Sequence, residues 1–126
     1  MNRVGDIRVI ELRKFLDKQG FLVAFDGESD FAIGLRRVFV VSGHGGSVRG
    51  KHAHKALTQI LVCLRGACRV TCDDGEAKRE ILLDRPEDAL QIPPGIWAEQ
   101  HYIGPESVLM VLCDLPSRCL CRSNTV

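Results

Sequence analysis

The sequence has almost no excess charge of either sign: 17 Lys and Arg stand against 16 Asp and Glu, a formal net charge of +1 over 126 residues. A chain so balanced offers no broad field to nucleic acid or to an anionic membrane, so neither is an expected partner, and an anionic ligand has to be met by a local basic site. Also missing is any apolar run near the roughly 20 residues of a membrane-spanning helix. The opening MNRVGDIRVIELRKF interleaves charges where a signal peptide needs an apolar stretch, so a cytoplasmic location is expected. No CxxC pair, internal repeat, low-complexity segment or long 3.6-period stretch occurs. At this length the expectation is a single domain over residues 1–126, with about 115–126 a divergent tail.

What is present is a series of short β-rich segments. IRVIEL at 7–12, FLVAF at 21–25, GLRRVFVV at 34–41, QILVCL at 59–64, CRVTC at 68–72, EILL at 80–83, ALQI at 89–92 and VLMVLC at 108–113 alternate with turn signals. Such spacing predicts an all-β antiparallel sandwich or barrel. Asp73, Asp74 and Gly75 predict a hairpin turn after CRVTC, and Pro93, Pro94 and Gly95 close ALQI. KFLDKQ, at 14–19, is read as one helical turn.

Of the six cysteines, Cys63, Cys68, Cys72 and Cys113 fall inside apolar segments and read as small buried hydrophobes in a reducing compartment. Cys119 and Cys121 form a CxC beside arginines, either a weak metal or redox site or part of a loosely ordered tail.

Two half-motifs carry chemistry. In RGKHAHKALTQ, at 49–59, His52 and His54 are two apart, which on a strand turns both rings to one side. Gly46, His52, His54, Gln59 and Gly66 follow the spacing of the first cupin signature, with Gln59 where a glutamate is usual. Pro93, Pro94, Gly95, Ile96 and Trp97 follow the second, but Ala98 stands where a metal-binding histidine would be. A site of that kind needs three imidazoles and a carboxylate. With a carboxamide and a methyl group replacing two donors, tight metal binding is not expected, and no cofactor is. His101 and His44 are candidate substitute ligands or ordinary loop histidines.

Without a metal, two imidazoles with pKa values near neutrality suit proton abstraction beside a carbonyl. The bland alternative is a buried pair satisfied by backbone groups.

The run RRVFVVSGHGGSVRGKHAHKALTQILVCLRGACRVTCDDG, continued by LQIPPGIWAEQHY and VLMVLCDL, resembles the WxcM-like nucleotide-sugar 3,4-ketoisomerases from about residue 4 to residue 114. The resemblance implies a cupin-type jelly-roll β-barrel, commonly a homodimer with exchanged N-terminal strands. It also implies that a dTDP-linked 4-keto-6-deoxyhexose, dTDP-4-keto-6-deoxyglucose, is the substrate in deoxyaminosugar biosynthesis. Its ketone would move from C4 to C3 through an enediol without metal, with His52 and His54 as the catalytic pair. Arg49 matches a pyrophosphate-contacting position, Arg37 is a second phosphate partner, and Gln59 and Trp97 match pocket-lining positions. A guanidinium fork suits phosphate oxygens; for Trp97, a core anchor is the alternative.

The chain departs from the family at several points. Phe39 replaces a tyrosine, Ala98 a histidine or arginine, and Gln19 occupies the arginine or variable slot of the turn Asp17–Gly20. Phe39 and Ala98 are expected in or beside the substrate pocket, and the family's tyrosine-containing C-terminal extension is missing. Two rival functions stay open: a cupin that binds a nucleotide sugar without turnover, and a metal-dependent cupin using His52, His54, Gln59 and His101.

Overall fold

Alternating and continuous apolar runs resolve into ten strands and one short turn of helix in the computed structural model, which describes residues 1–26, 34–115 and 121–123. A 3-10 turn at Val4–Asp6 leads into β1 (Arg8–Glu11), β2 (Arg13–Asp17), β3 (Gly20–Ala24), β4 (Arg37–His44) and β5 (Val48–His54). There follow β6 (Gln59–Asp73), β7 (Lys78–Leu83), β8 (Asp88–Ile92), β9 (Trp97–Cys113) and β10 (Cys121–Ser123). Cys119 and the side chain of Cys121 lie outside the described residues, so the CxC has no structural account.

Two long strands organise the rest. β6 and β9 run antiparallel from Gln59 opposite Cys113 to Asp73 opposite Trp97. The start of β6 pairs with β8 and its end with β7, while the end of β9 pairs with β4 and its start with β5. One half-sheet is thus β1, β8, β6, β9 and β4, and the other is β7, β6, β9, β5 and β10. Register shifts at Cys63/Arg65 and Arg65/Ala67 mark where β6 bends between them. There the buried Ser107 hydroxyl donates to Ile103 O at 2.6 Å and accepts from Ala67 N–H at 3.1 Å, keeping the interrupted ladder satisfied.

The inner faces of the two halves share one core. Leu61, Leu90 and Leu109 from one half meet Val70, Leu83 and Tyr102 from the other. Each such side chain contributes about 1.5–3 kcal/mol on burial. This is the expected cupin-type jelly roll, two facing antiparallel layers joined by shared strands. Ile60 and Val62 point the other way, into a second cluster with Leu12, Ala89 and Leu112 that Val23 and Phe25 partly cover. Burial on both faces explains the unbroken apolar run in QILVCL. Cys63, Cys68, Cys72 and Cys113 are buried. Burial pushes Cys68 up to about 12 and Cys72 up to about 11, so both stay protonated and act as small apolar fillers.

Some expectations need correction. KFLDKQ is not a helical turn but β2 and the turn after it. Phe15 faces Leu22 and Leu16 faces Phe21 across a two-stranded hairpin, and Asp17 Oδ1 accepts from Gln19 N–H at 2.8 Å to shape the turn. Cross-strand aromatic and aliphatic pairing outweighs an isolated helical turn, whose nucleation is unfavourable. QILVCL and CRVTC are one strand, bent rather than broken. The DDG turn is where it was expected: Asp74 accepts from Glu76 and Ala77 N–H through Oδ1 and from Val4 N–H through Oδ2, tying the N-terminal segment to it.

Candidate active site

Between the two half-sheets lies a cavity of about 170 Å³, lined on its polar side by Arg49, His52, Gln59, Gln100 and Tyr102. Phe39, Val41, Leu61, Ala98, Leu109 and Val111 supply apolar wall, and no carboxylate is among the lining residues described. A more open depression lined by Ser47, Val48, Arg49, Gly50 and Lys51 adjoins it, and Arg49 belongs to both.

The placement of Arg49 beside His52 depends on an irregularity in β5. Side chains three apart on a regular strand face opposite sides. Here Arg49 is opposite Gln100, Gly50 opposite Glu99 and His52 opposite Ala98, so two steps along β5 correspond to one along β9. The extra residue is a β-bulge, with Gly50 at φ 85° and Lys51 at φ 59°. It returns His52 to the face that Arg49 occupies. Glycine is favoured at position 50, because φ is 85° there and an added Cβ would lie 3.0 Å from Ala98 O and 2.5 Å from Gln100 Oε1.

His54, two residues further, shares the inner face. Its ring centroid lies 4.8 Å from that of His52 at an interplanar angle of 74°. His52 borders the cavity, whereas His54 is buried behind it and is not among the lining residues. The His54 carbonyl accepts from Gly95 N–H at 2.7 Å, so the Pro-Pro-Gly turn is fastened to the histidine strand and the two half-motifs form one unit. Desolvation lowers the pKa of His52 below 6.5; desolvation and then the neighbouring His52 lower that of His54 to about 4. Both rings are therefore neutral at pH 7, able to accept a proton.

The other expected residues divide between two faces. Phe39, Gln59 and Ala98 line the cavity. Arg37 stands at the exposed start of β4 with its guanidinium carbon 4.5 Å from the Phe39 ring centroid, on the same strand face. Trp97 does not line this cavity: one residue from Ala98 on a strand, it faces the other way, with Nε1–H donating to Glu99 Oε1 at 3.2 Å. His101 follows the same parity, with Nε2 3.2 Å from Glu99 Oε2, and does not stand in for the histidine that Ala98 replaces. His44 ends β4 in an exposed position, also outside the cavity. The donors on the inner face are two imidazoles, the Gln59 and Gln100 carboxamides and the Tyr102 phenol, with a methyl group opposite His52, and this set does not fit a metal centre of three histidines and a carboxylate.

Gln100 and Tyr102 were not singled out in the sequence. The signal was available, since both lie an even number of residues beyond Ala98 on one strand and so share its face.

The family model described as FdtA: WxcM-like, C-terminal, matches residues 5–116. The TDP-4-oxo-6-deoxy-alpha-D-glucose-3,4-oxoisomerase of Aneurinibacillus thermoaerophilus is 42% identical over 108 residues, which cover 85% of this chain and 78% of that protein. Among solved structures, QdtA from Thermoanaerobacterium thermosaccharolyticum, a sugar 3,4-ketoisomerase in complex with TDP, matches with a TM-score of 0.85 at 28% identity, over 90% of this chain and 84% of its own. A variant of QdtA with one histidine changed to asparagine, in complex with TDP-4-keto-6-deoxyglucose, matches with a TM-score of 0.85 at 27% identity, over 90% and 83% of the two chains.

Proposed function

We propose that this chain, which belongs to the FdtA family of WxcM-like domains, is a dTDP-sugar 3,4-ketoisomerase that moves the ketone of dTDP-4-keto-6-deoxyglucose from C4 to C3 through an enediol. His52 takes the proton from C3 and returns a proton at C4. His54, packed edge-on behind it, holds that ring in place and stays neutral. No metal ion takes part, and the reaction serves deoxyaminosugar biosynthesis in the cytoplasm, in a single domain.

The observation that carries this reading is the small cavity that joins His52 to Arg49, with no carboxylate among its described lining residues. At about 170 Å³ it is smaller than the 300–1,000 Å³ typical of drug-sized ligands, so it suits a sugar ring and leaves the nucleotide outside. Arg49 links the cavity to the open depression, where a diphosphate would meet its guanidinium, and Arg37, at the exposed start of β4 beside Phe39, is proposed as a second phosphate contact although it lines neither space. A neutral imidazole is the form that removes a proton from carbon, and an adjacent fixed cation favours the enediolate that develops.

The reading extends to a homodimer. Phe15, Leu16, Phe21 and Leu22 are each more than half exposed on the β2–β3 hairpin, which forms a separate two-stranded sheet. Such a pair of strands is marginal unless something packs on it.

The test is incubation with TDP-4-keto-6-deoxyglucose in deuterated buffer, followed by NMR. A 3-keto product bearing deuterium at C4 is expected, and His52→Asn should lower the rate about 10²–10⁴-fold. Tight dTDP binding with neither product nor exchange would instead identify a binding protein and end the enzymatic reading.

A further inference from the structure

We infer that Tyr102 is a catalytic residue, its phenolic hydroxyl carrying a proton between O4 and O3 of the sugar while His52 carries the one on carbon. The inference rests on the ketoisomerase reading above and adds a second proton carrier to it.

The reaction needs such a group. Moving a ketone between neighbouring carbons transfers one proton from C3 to C4 and another from O3 to O4. An imidazole holding the carbon proton cannot serve both oxygens at the same time. In a balanced sequence, His52 takes the C3 proton and the C3–H electron pair becomes the C3=C4 bond. The C4=O π pair moves to O4, which takes the phenolic proton. The phenolate then takes the proton from O3 as C3=O forms, and the C3=C4 pair accepts at C4 a proton from the His52 imidazolium, whose N–H has exchanged with solvent in the meantime. Imidazole and phenol end as they began, and no oxidant or reductant is consumed.

Among the described residues lining the cavity, Tyr102 carries the only hydroxyl. It is 2% exposed and borders that space, so the residue is closed to bulk water while still forming part of the cavity wall. It is also rigidly held. A Cβ on Gly43 would lie 2.6, 2.7 and 2.9 Å from Cγ, Cδ2 and Cδ1 of Tyr102, so the ring lies against bare backbone of β4. On the other side, Tyr102 N–H donates to Ser47 O at 2.9 Å and Tyr102 O accepts from Gly46 N–H at 2.8 Å. Groups fixed by packing and backbone bonds in this way need little reorganisation as charge develops.

Its electrostatic setting suits the task. Burial pushes the phenol up to about 12, while Arg49 pulls the other way. The hydroxyl is therefore protonated at rest, with a guanidinium nearby to steady the transient phenolate. Phe39, on the same cavity wall, has no hydroxyl to share the work.

The chain has a single tyrosine, so growth on a fluorinated tyrosine modifies this one site. Three proteins are compared on TDP-4-keto-6-deoxyglucose: the unmodified chain, Tyr102→Phe, and the chain carrying 2,3,5-trifluorotyrosine, whose phenol is more acidic. Tyr102→Phe is expected to lower kcat about 10²–10³-fold, with dTDP affinity within twofold. The fluorinated protein should show the alkaline fall in kcat at lower pH than the unmodified enzyme, a shift that a packing role would not produce. A Tyr102→Phe kcat within threefold of the parent, or an alkaline limb that does not move, overturns the inference. Inactivity of the unmodified chain would instead defeat the ketoisomerase reading itself.

Discussion

At the scale of single residues, the histidine pair links chemistry to pH. The pKa of His54 is about 4 in the fold against 6.5 as its ordinary value. Between those values the unfolded chain binds the proton that the folded chain refuses, so stability rises with pH through that window. The contribution is complete above pH 6.5 and is lost as pH falls toward 4. Urea midpoints at pH 7 and pH 5 should therefore differ more for the natural chain than for His54→Gln. A companion result belongs to His52, whose pKa is lowered from 6.5 by burial. The acid limb of kcat/KM should lie below that value, and a limb above it would show that another group is the base. The shared side of the two histidines was legible from their spacing alone, as was the loss of metal donors at Gln59 and Ala98. The inward face of β9 was only half read: parity from Ala98 places Gln100 and Tyr102 inside and Trp97 and His101 outside, but a motif names positions without naming faces.

At the scale of elements, the bulge in β5 is the least predictable feature and the one on which the site depends most. Arg49 and His52 are an odd number of residues apart, so regular strand geometry would separate them. Nothing in RGKHAH states where an extra residue will be absorbed, although a glycine before the histidines is consistent with it. Gly50→Ala should strain a backbone at φ 85° and press a methyl group against Gln100 and the Ala98 carbonyl. The expected cost is on the order of 1–3 kcal/mol in stability, with a larger loss in kcat than in dTDP affinity. Unchanged turnover would show that Arg49 and His52 tolerate movement relative to one another. The strand list read from the sequence was otherwise close. Its misses share one cause, the coupling of distant segments: β6 and β9 are continuous because each has different partners along its length, and the β2–β3 hairpin exists because its two halves pair.

At the scale of the whole molecule, the hairpin is an apolar appendage on a chain of near-neutral charge. Lys14 ties it to the main sheet, with Nζ 3.3 Å from Glu87 Oε2 and 4.5 Å from the Phe21 ring centroid. Leu16 and Leu22 remain largely in water. If a second copy covers them, Leu16→Asp with Leu22→Asp should convert a dimer to a monomer in sedimentation equilibrium. A natural chain that sediments as a monomer at micromolar concentration would reject the homodimer.

The bulge also sets which changes of length β5 can survive. One residue lost at Gly50 or Lys51 would leave Arg49 and His52 two apart on a regular strand, still facing the same way. Losing Ala53 instead would make the two histidines neighbours and turn one of them out of the barrel. Relatives of this chain can therefore be expected to differ by one residue before the first histidine far more readily than between the two.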